Sequence, residues 1–214
     1  GQGLEESLVA DALGSRRRDV VIATKFGQAE LLGRSPDGGL RMSEDATRQG
    51  ASRRWIMQAV EESLTRLKTD YIDLYQPHVL DAAVPREETL RALDDLVRSG
   101  KVRYIGLSNH PAWQVVEAQE TARRINTSAF VSCQDEMSLL VRDADRELMP
   151  MMARYGLGLL PYFPLACGLL TGKYARGAMP QGARITSMQR YQDKYVNERN
   201  WRDRKSTRLN SSHR

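Results

Sequence analysis

Five short runs of apolar, β-favouring residues recur along the chain: DVVIAT (19–24), YIDLYQ (71–76), VRYIGL (102–107), AFVSCQ (129–134) and GLGLLPY (156–162). Helical patterns lie between them. In 52–69, Ile56, Val60, Leu64 and Leu67 recur at three- or four-residue steps, with Ser52 placed to cap the helix. In 86–101, Leu90, Leu93 and Val97 form one stripe, and Gly100 stands where a C-terminal cap is expected. Further helices are predicted over 112–125 and 146–156, where Pro150 starts or kinks the helix, and a short one over 7–14.

The runs start 52, 31, 27 and 27 residues apart. A strand–helix unit near 30 residues predicts parallel βαβ repeats. The long first step holds a polar insertion, 28–51, rich in Gly, Ser and Asp, expected to be a surface loop or lid. A parallel α/β chain is either a barrel or an open sheet. The open dinucleotide-binding fold needs G-x-G-x-x-G after its first strand, and no such motif is present. GLLTGKY (168–174) has only three residues between its glycines and Tyr174 after the lysine, which rules out a phosphate-binding P-loop.

The strand ends favour the barrel, whose chemistry lies at the C-terminal ends of its strands. The five runs lead into Lys25, His78, the pair Ser108–Asn109, Gln134 and Tyr162. Each alone has an ordinary explanation: a snorkelling lysine, a loop histidine, backbone-capping amides, a core tyrosine. A barrel, however, gathers five such ends around one mouth. His110 and Trp113 follow the Ser–Asn pair, either lining that mouth or packing on the next helix.

Bulk properties change the picture little. With 214 residues, 41% hydrophobic and 28% charged, the chain is long enough for one sizeable core. No apolar run approaches the roughly 20 residues of a membrane helix. No export signal opens the chain at Gly1, and Cys133 and Cys167 form no metal-binding or redox motif, so a reduced, cytoplasmic protein without a metal is expected. The net charge of +5 is concentrated at the end. Residues 203–214 (DRKSTRLNSSHR) carry four basic residues against one acidic and almost no apolar side chain. This tail resembles the in-frame translation of a sequencing-adapter DNA; a basic, nucleic-acid-binding tail is the alternative. Nucleic acid and membrane are not expected as partners of the rest.

VVIATKFG, DLYQPH, GKVRYIGLSN and PYFPLACGLLTGKY, in that order, resemble the aldo-keto reductases, most of all a bacterial branch of general aldo/keto reductases. The resemblance runs over about 1–202. It implies a (β/α)8 TIM barrel that binds NADPH or NADH and transfers hydride to an aldehyde or ketone. Lys25 matches the family lysine that eases proton transfer by a tyrosine. His78 matches the histidine that hydrogen-bonds the substrate carbonyl. Ser108, Asn109 and Gln134 match residues that hold the nicotinamide carboxamide, and Tyr162 matches the aromatic stacked on the nicotinamide. Leu165, Gly168 and Leu169 match the loop around the pyrophosphate. Phe163 stands where many relatives have a cofactor-holding serine.

GQGLEE (1–6) resembles only the stretch that follows the family's Asp and Tyr. The expectation is therefore a fragment truncated at both ends, holding strands three to seven of eight, without those two catalytic residues and inactive by itself. The same resemblance admits a second role, an NADPH-binding regulatory subunit that docks on channel proteins.

Overall fold

The computed structural model describes residues 3–29, 31–34, 40–79 and 81–202. The tail, 203–214, lies outside the described residues. The chain divides into two compact units, Gly1–Gln134 with Met151–Leu159, and Asp135–Pro150 with Leu160–Arg214.

The first unit begins with helix α1 (Leu4–Leu13), followed by a 3-10 segment, Gly14–Asp19. Strands β1 (Ala23–Phe26), β4 (Ile72–Pro77) and β5 (Val102–Ile105) form a parallel sheet in the order β1-β4-β5. Helices α2 (Arg53–Leu67), α3 (Arg86–Arg98) and α4 (Ala112–Ile125) lie between the strands in sequence, as βαβ repeats require. The Ser52 hydroxyl accepts from the Trp55 amide at 3.3 Å, and Ile56, Val60, Leu64 and Leu67 are all buried. Gly100 adopts φ +77° just past α3, where a side chain would be strained.

The short strand β6 (Leu107–Ser108) pairs in parallel with β7 (Ser132–Glu136), Leu107 opposite Cys133 and Ser108 opposite Gln134. Strand β8 (Gly158–Tyr162) lies next to β7, after helix α5 (Leu148–Tyr155). Pro150 sits in the first turn of α5, where its missing N–H has no helical acceptor to lose. The second unit also contains helix α6 (Gln189–Tyr195). It is built on a core of Ala166, Cys167, Leu169, Tyr174, Ile185 and Tyr195.

Three expected strands are displaced, each for a visible reason. The first run joins the sheet only from Ile22, because the Asp73 carboxylate takes the Ile22 amide and Arg17 at 2.9 Å each. Lys25 therefore lies within β1 rather than after it. The third run breaks at Gly106 into β5 and β6. The fourth starts at Ser132, because the Gln119 side chain binds both the amide and the carbonyl of Phe130. The insertion is not all loop. Strands β2 (Leu31–Arg34) and β3 (Leu40–Met42) pair antiparallel within it.

Candidate active site

In the first unit, the ends of four strands are joined as two backbone-bonded pairs, bridged by a side chain. Lys25 lies opposite Gln76 in the β1–β4 register. One residue further, the His78 amide donates to the Phe26 carbonyl at 2.8 Å. The Asn109 amide donates to the Gln134 carbonyl at 3.1 Å. Asn109 takes φ +58°, a left-handed conformation that asparagine tolerates better than most residues. Its side-chain Nδ2 then reaches the His78 carbonyl at 2.9 Å and the Ser108 hydroxyl at 3.1 Å. Lys25, His78, Asn109 and Gln134 are thus linked across neighbouring strand ends.

Their chemical states differ. Lys25, His78 and Gln134 are half-buried. Among the described residues, their side chains carry no hydrogen bond or ion pair. Burial lowers the Lys25 ammonium below its ordinary pKa. Burial, and after it the Lys25 charge, lowers the His78 imidazole as well. These are polar groups held partly out of water with unused hydrogen-bonding capacity, the condition of a site built to meet a polar ligand. Ser108, by contrast, is buried, and Asn109 already spends its Nδ2 on His78 and Ser108.

The two open residues separate. His110 is buried, its Nδ1–H donating to the Ser108 carbonyl at 2.8 Å. It lines a cavity with Pro77, Val79, Leu90, Leu107 and Phe130. Trp113 is exposed at the start of α4.

In the second unit, burial, the Glu136 and Asp135 carboxylates and Tyr191 together push the Tyr162 hydroxyl up to about 12. A phenol so raised stays neutral and suits stacking rather than proton transfer at neutral pH. Phe163 adopts φ +52° and packs its ring edge-on against Tyr162 (5.2 Å) and Tyr191 (5.6 Å), with the Arg184 guanidinium over it at 4.9 Å. Ala166, Cys167 and Gly168 follow at φ +48°, +53° and +93°. For Ala166 and Cys167, which are not glycines, this left-handed conformation is strained. Gly168 has no side chain where one would come within 3.0 Å of Lys173 Cε. Leu165 is exposed, whereas Leu169 is fully buried in the core, which leaves only its main chain to touch a ligand.

Four residues escaped the sequence reading. Gln76 is fully buried, with Nε2 donating to the Leu107 carbonyl. Asp81 takes the Ala51 and Ala83 amides and anchors the loop before α2. Glu6, from the GQGLEE stretch, binds Thr24 of β1 and Arg66 of α2 at 2.6 Å each. In the second unit, Glu136 binds Lys194 at 2.7 Å and the Tyr195 hydroxyl. A charged or amide residue inside an apolar strand was the only available signal for Gln76 and Glu136.

The fit to a nicotinamide cofactor rests on donor chemistry. A carboxamide offers one acceptor and two donors, and the half-buried Gln134 side chain can present both complements, whereas the Ser108 hydroxyl is buried and accepts from Asn109.

Comparison with known proteins places the chain among known sequences. The model of the Aldo/keto reductase family matches residues 1–208. Versiconal hemiacetal acetate reductase of Aspergillus parasiticus is 40% identical over 181 residues, covering 81% of this chain and 52% of its own length. The uncharacterized oxidoreductase YrpG of Bacillus subtilis is 41% identical over 174 residues, covering 80% and 51%. A protein of Oryza sativa subsp. japonica, named as a voltage-gated potassium channel subunit beta, is 36% identical over 187 residues, covering 86% and 53%. The chain spans about half the length of these curated relatives.

Proposed function

From the premise that the chain belongs to the aldo/keto reductase family, we propose that it carries the cofactor-binding and carbonyl-binding part of an NADPH- or NADH-dependent reductase of aldehydes or ketones. Strands β1, β4, β5 with β6, β7 and β8 would be the third to seventh of the eight barrel strands. The observation that carries the reading is the set of half-buried, unpaired polar groups at linked strand ends: Lys25, His78 and Gln134.

The bound nicotinamide would supply the hydride. Ser108, Asn109 and Gln134 would hold its carboxamide, and Tyr162 would lie against its ring. Phe163, Leu165, Gly168 and Leu169 would form the loop along the pyrophosphate, with Gly168 and the Leu169 main chain making the close approach. His78, kept neutral, would hydrogen-bond the substrate carbonyl oxygen, where negative charge develops as reduction proceeds. Lys25 would provide the positive charge that lowers the pKa of a proton-donating tyrosine. Cofactor binding by the 214-residue chain is what this reading requires.

Titration of the chain with NADPH and NADH, followed by nicotinamide fluorescence, tests the reading. Saturable binding that Gln134→Ala weakens tenfold or more supports it; no binding of either nucleotide by the folded chain defeats it. The identity to a channel beta subunit favours one second reading, a cofactor-binding regulatory subunit with little turnover. Under that reading the protein would bind NADPH, show no carbonyl reduction and co-purify with a membrane partner.

A further inference from the structure

We propose that Gln76 is a positioning residue: with Asn109 it forms a two-way side-chain clamp that replaces the missing sheet ladder between β4 and β6 and fixes His78 against the Ser108–Asn109 pair.

The ladder between β4 and its neighbour stops for a covalent reason. The Gly106 amide donates to the Tyr75 carbonyl at 3.1 Å. In a parallel pair the next rung would run from the amide of residue 77 back to the Gly106 carbonyl. Residue 77 is proline and has no N–H. Beyond this point residues 107–108 pair with β7, in a sheet separate from β1-β4-β5. His78, Ser108 and Asn109 of the candidate site lie past the break.

Two side-chain amides cross the gap in opposite directions. Gln76 Nε2, from β4, donates to the Leu107 carbonyl of β6 at 3.2 Å. Asn109 Nδ2, just past β6, donates to the His78 carbonyl at 2.9 Å, just past β4. Only an N–H can face a carbonyl oxygen, so the direction of each bridge is set. Gly106 provides the passage: a Cβ there would lie 3.0 Å from Gln76 Nε2. Gln76 is fully buried, and its Oε1 has no hydrogen-bond partner. A leucine would fill the position without desolvating an amide, so the bridge is what the glutamine contributes.

The positional role rests on the reading of His78 and Ser108–Asn109 as a cofactor and substrate site, but its test does not need cofactor. Amide hydrogen exchange of the 214-residue chain reports the clamp at the His78 and Asn109 amides, with the Ile56 and Val115 helical amides as reference. Gln76→Met keeps length and removes the donor. It should speed exchange at His78 and Asn109 at least tenfold, leaving the reference amides within twofold. Unchanged exchange at the two sites, or equal acceleration everywhere, would overturn the clamp.

Gln76→Glu supplies a rescue relative to Gln76→Met that mere packing would not give. A protonated carboxyl donates to Leu107 as the amide does, whereas the ionised form meets that carbonyl with an acceptor. Protection at His78 and Asn109 should therefore be near wild type in acid and fall as the buried carboxyl ionises, above the usual carboxylate range. The absence of that step in a folded variant overturns the proposal. Should Gln76→Met fail to fold, wild-type protection at His78 and Asn109 in acidic Gln76→Glu supports it, and selective loss at those two amides in acid overturns it. If neither folds, Asn109→Asp, which removes the opposite donor, decides by whether His78 loses protection. An exchange pattern as expected in a chain that binds no nicotinamide cofactor would sink the reductase reading and leave the clamp standing.

Discussion

Lys25, within β1, and His78, just past β4, belong to paired strands, and the Lys25 charge adds to burial in holding His78 below its ordinary pKa. A neutral His78 at pH 7 keeps one ring nitrogen as donor and one as acceptor, which is what orientation of a carbonyl requires. Replacing Lys25 by Met removes one of the two causes and leaves burial. The His78 pKa, followed by NMR of its ring protons, should rise part of the way towards the ordinary 6.5. A fall, or no movement, would show that the two groups do not share a field.

His110 makes a second pH-dependent contribution. Burial, and the Arg86 charge with it, lower its pKa, while its bond to the Ser108 carbonyl pulls the other way. The folded state therefore binds a proton less readily than the unfolded state. Stability is complete above the unfolded imidazole pKa of about 6.5 and declines as pH falls through the folded value. Urea midpoints should drop below about pH 6.5, and His110→Gln should flatten the slope. His78, shifted in the same direction, should contribute a slope of the same sign that His78→Gln reduces.

Asp94 ties α3 to the turn before β7. Its carboxylate accepts from Arg98 at 2.6 Å and from the amide and hydroxyl of Ser128 at 2.8 Å each. Burial pushes this carboxyl up, but those hydrogen bonds outweigh it and leave the pKa lowered. Its contribution is present above the ordinary carboxylate range, near 4, and is lost in acid. Asp94→Ala leaves the Ser128 amide without its partner and should cost about 2–3 kcal/mol in chemical denaturation at pH 7. The loss should shrink below about pH 4; a loss independent of pH would assign it to packing instead.

The order of elements was legible because strands and helices alternate in hydrophobic period, and α2 and α4 ended within a residue or two of where the pattern placed them. What escaped was decided by side chains acting on backbone. Asp73 delays β1, Gln119 delays β7, and Pro77 ends a ladder. No local pattern reports such long-range substitutions for main-chain bonds. The same holds for the site. Lys25 and His78 were visible at strand ends, but the division of labour between Asn109, which is committed to His78, and Gln134, which is not, depends on tertiary hydrogen bonds. Leu169 matched a loop motif in sequence, yet its side chain belongs to the core.

Gly106 and Ser132 provide a test of packing behind the candidate site. A Cβ on Gly106 would fall 2.5 Å from the Ser132 hydroxyl oxygen and 3.2 Å from Leu74 Cδ1, besides its contact with Gln76. Gly106→Ala should therefore destabilise by about 1–3 kcal/mol, the usual cost of overpacking a filled interior. The Ser132 hydroxyl is buried and has no hydrogen-bond partner. Ser132→Ala alone should then be neutral or slightly stabilising, because it removes a desolvated group that nothing satisfies. The two changes should not be additive. With the hydroxyl gone, the new methyl at 106 meets only Gln76 and Leu74, and the double variant should recover about 1 kcal/mol relative to the sum of the singles. A double-mutant cycle in urea measures that coupling. Strict additivity would mean that the strain of Gly106→Ala lies with Gln76, and the Gln76→Met background would then have to relieve it.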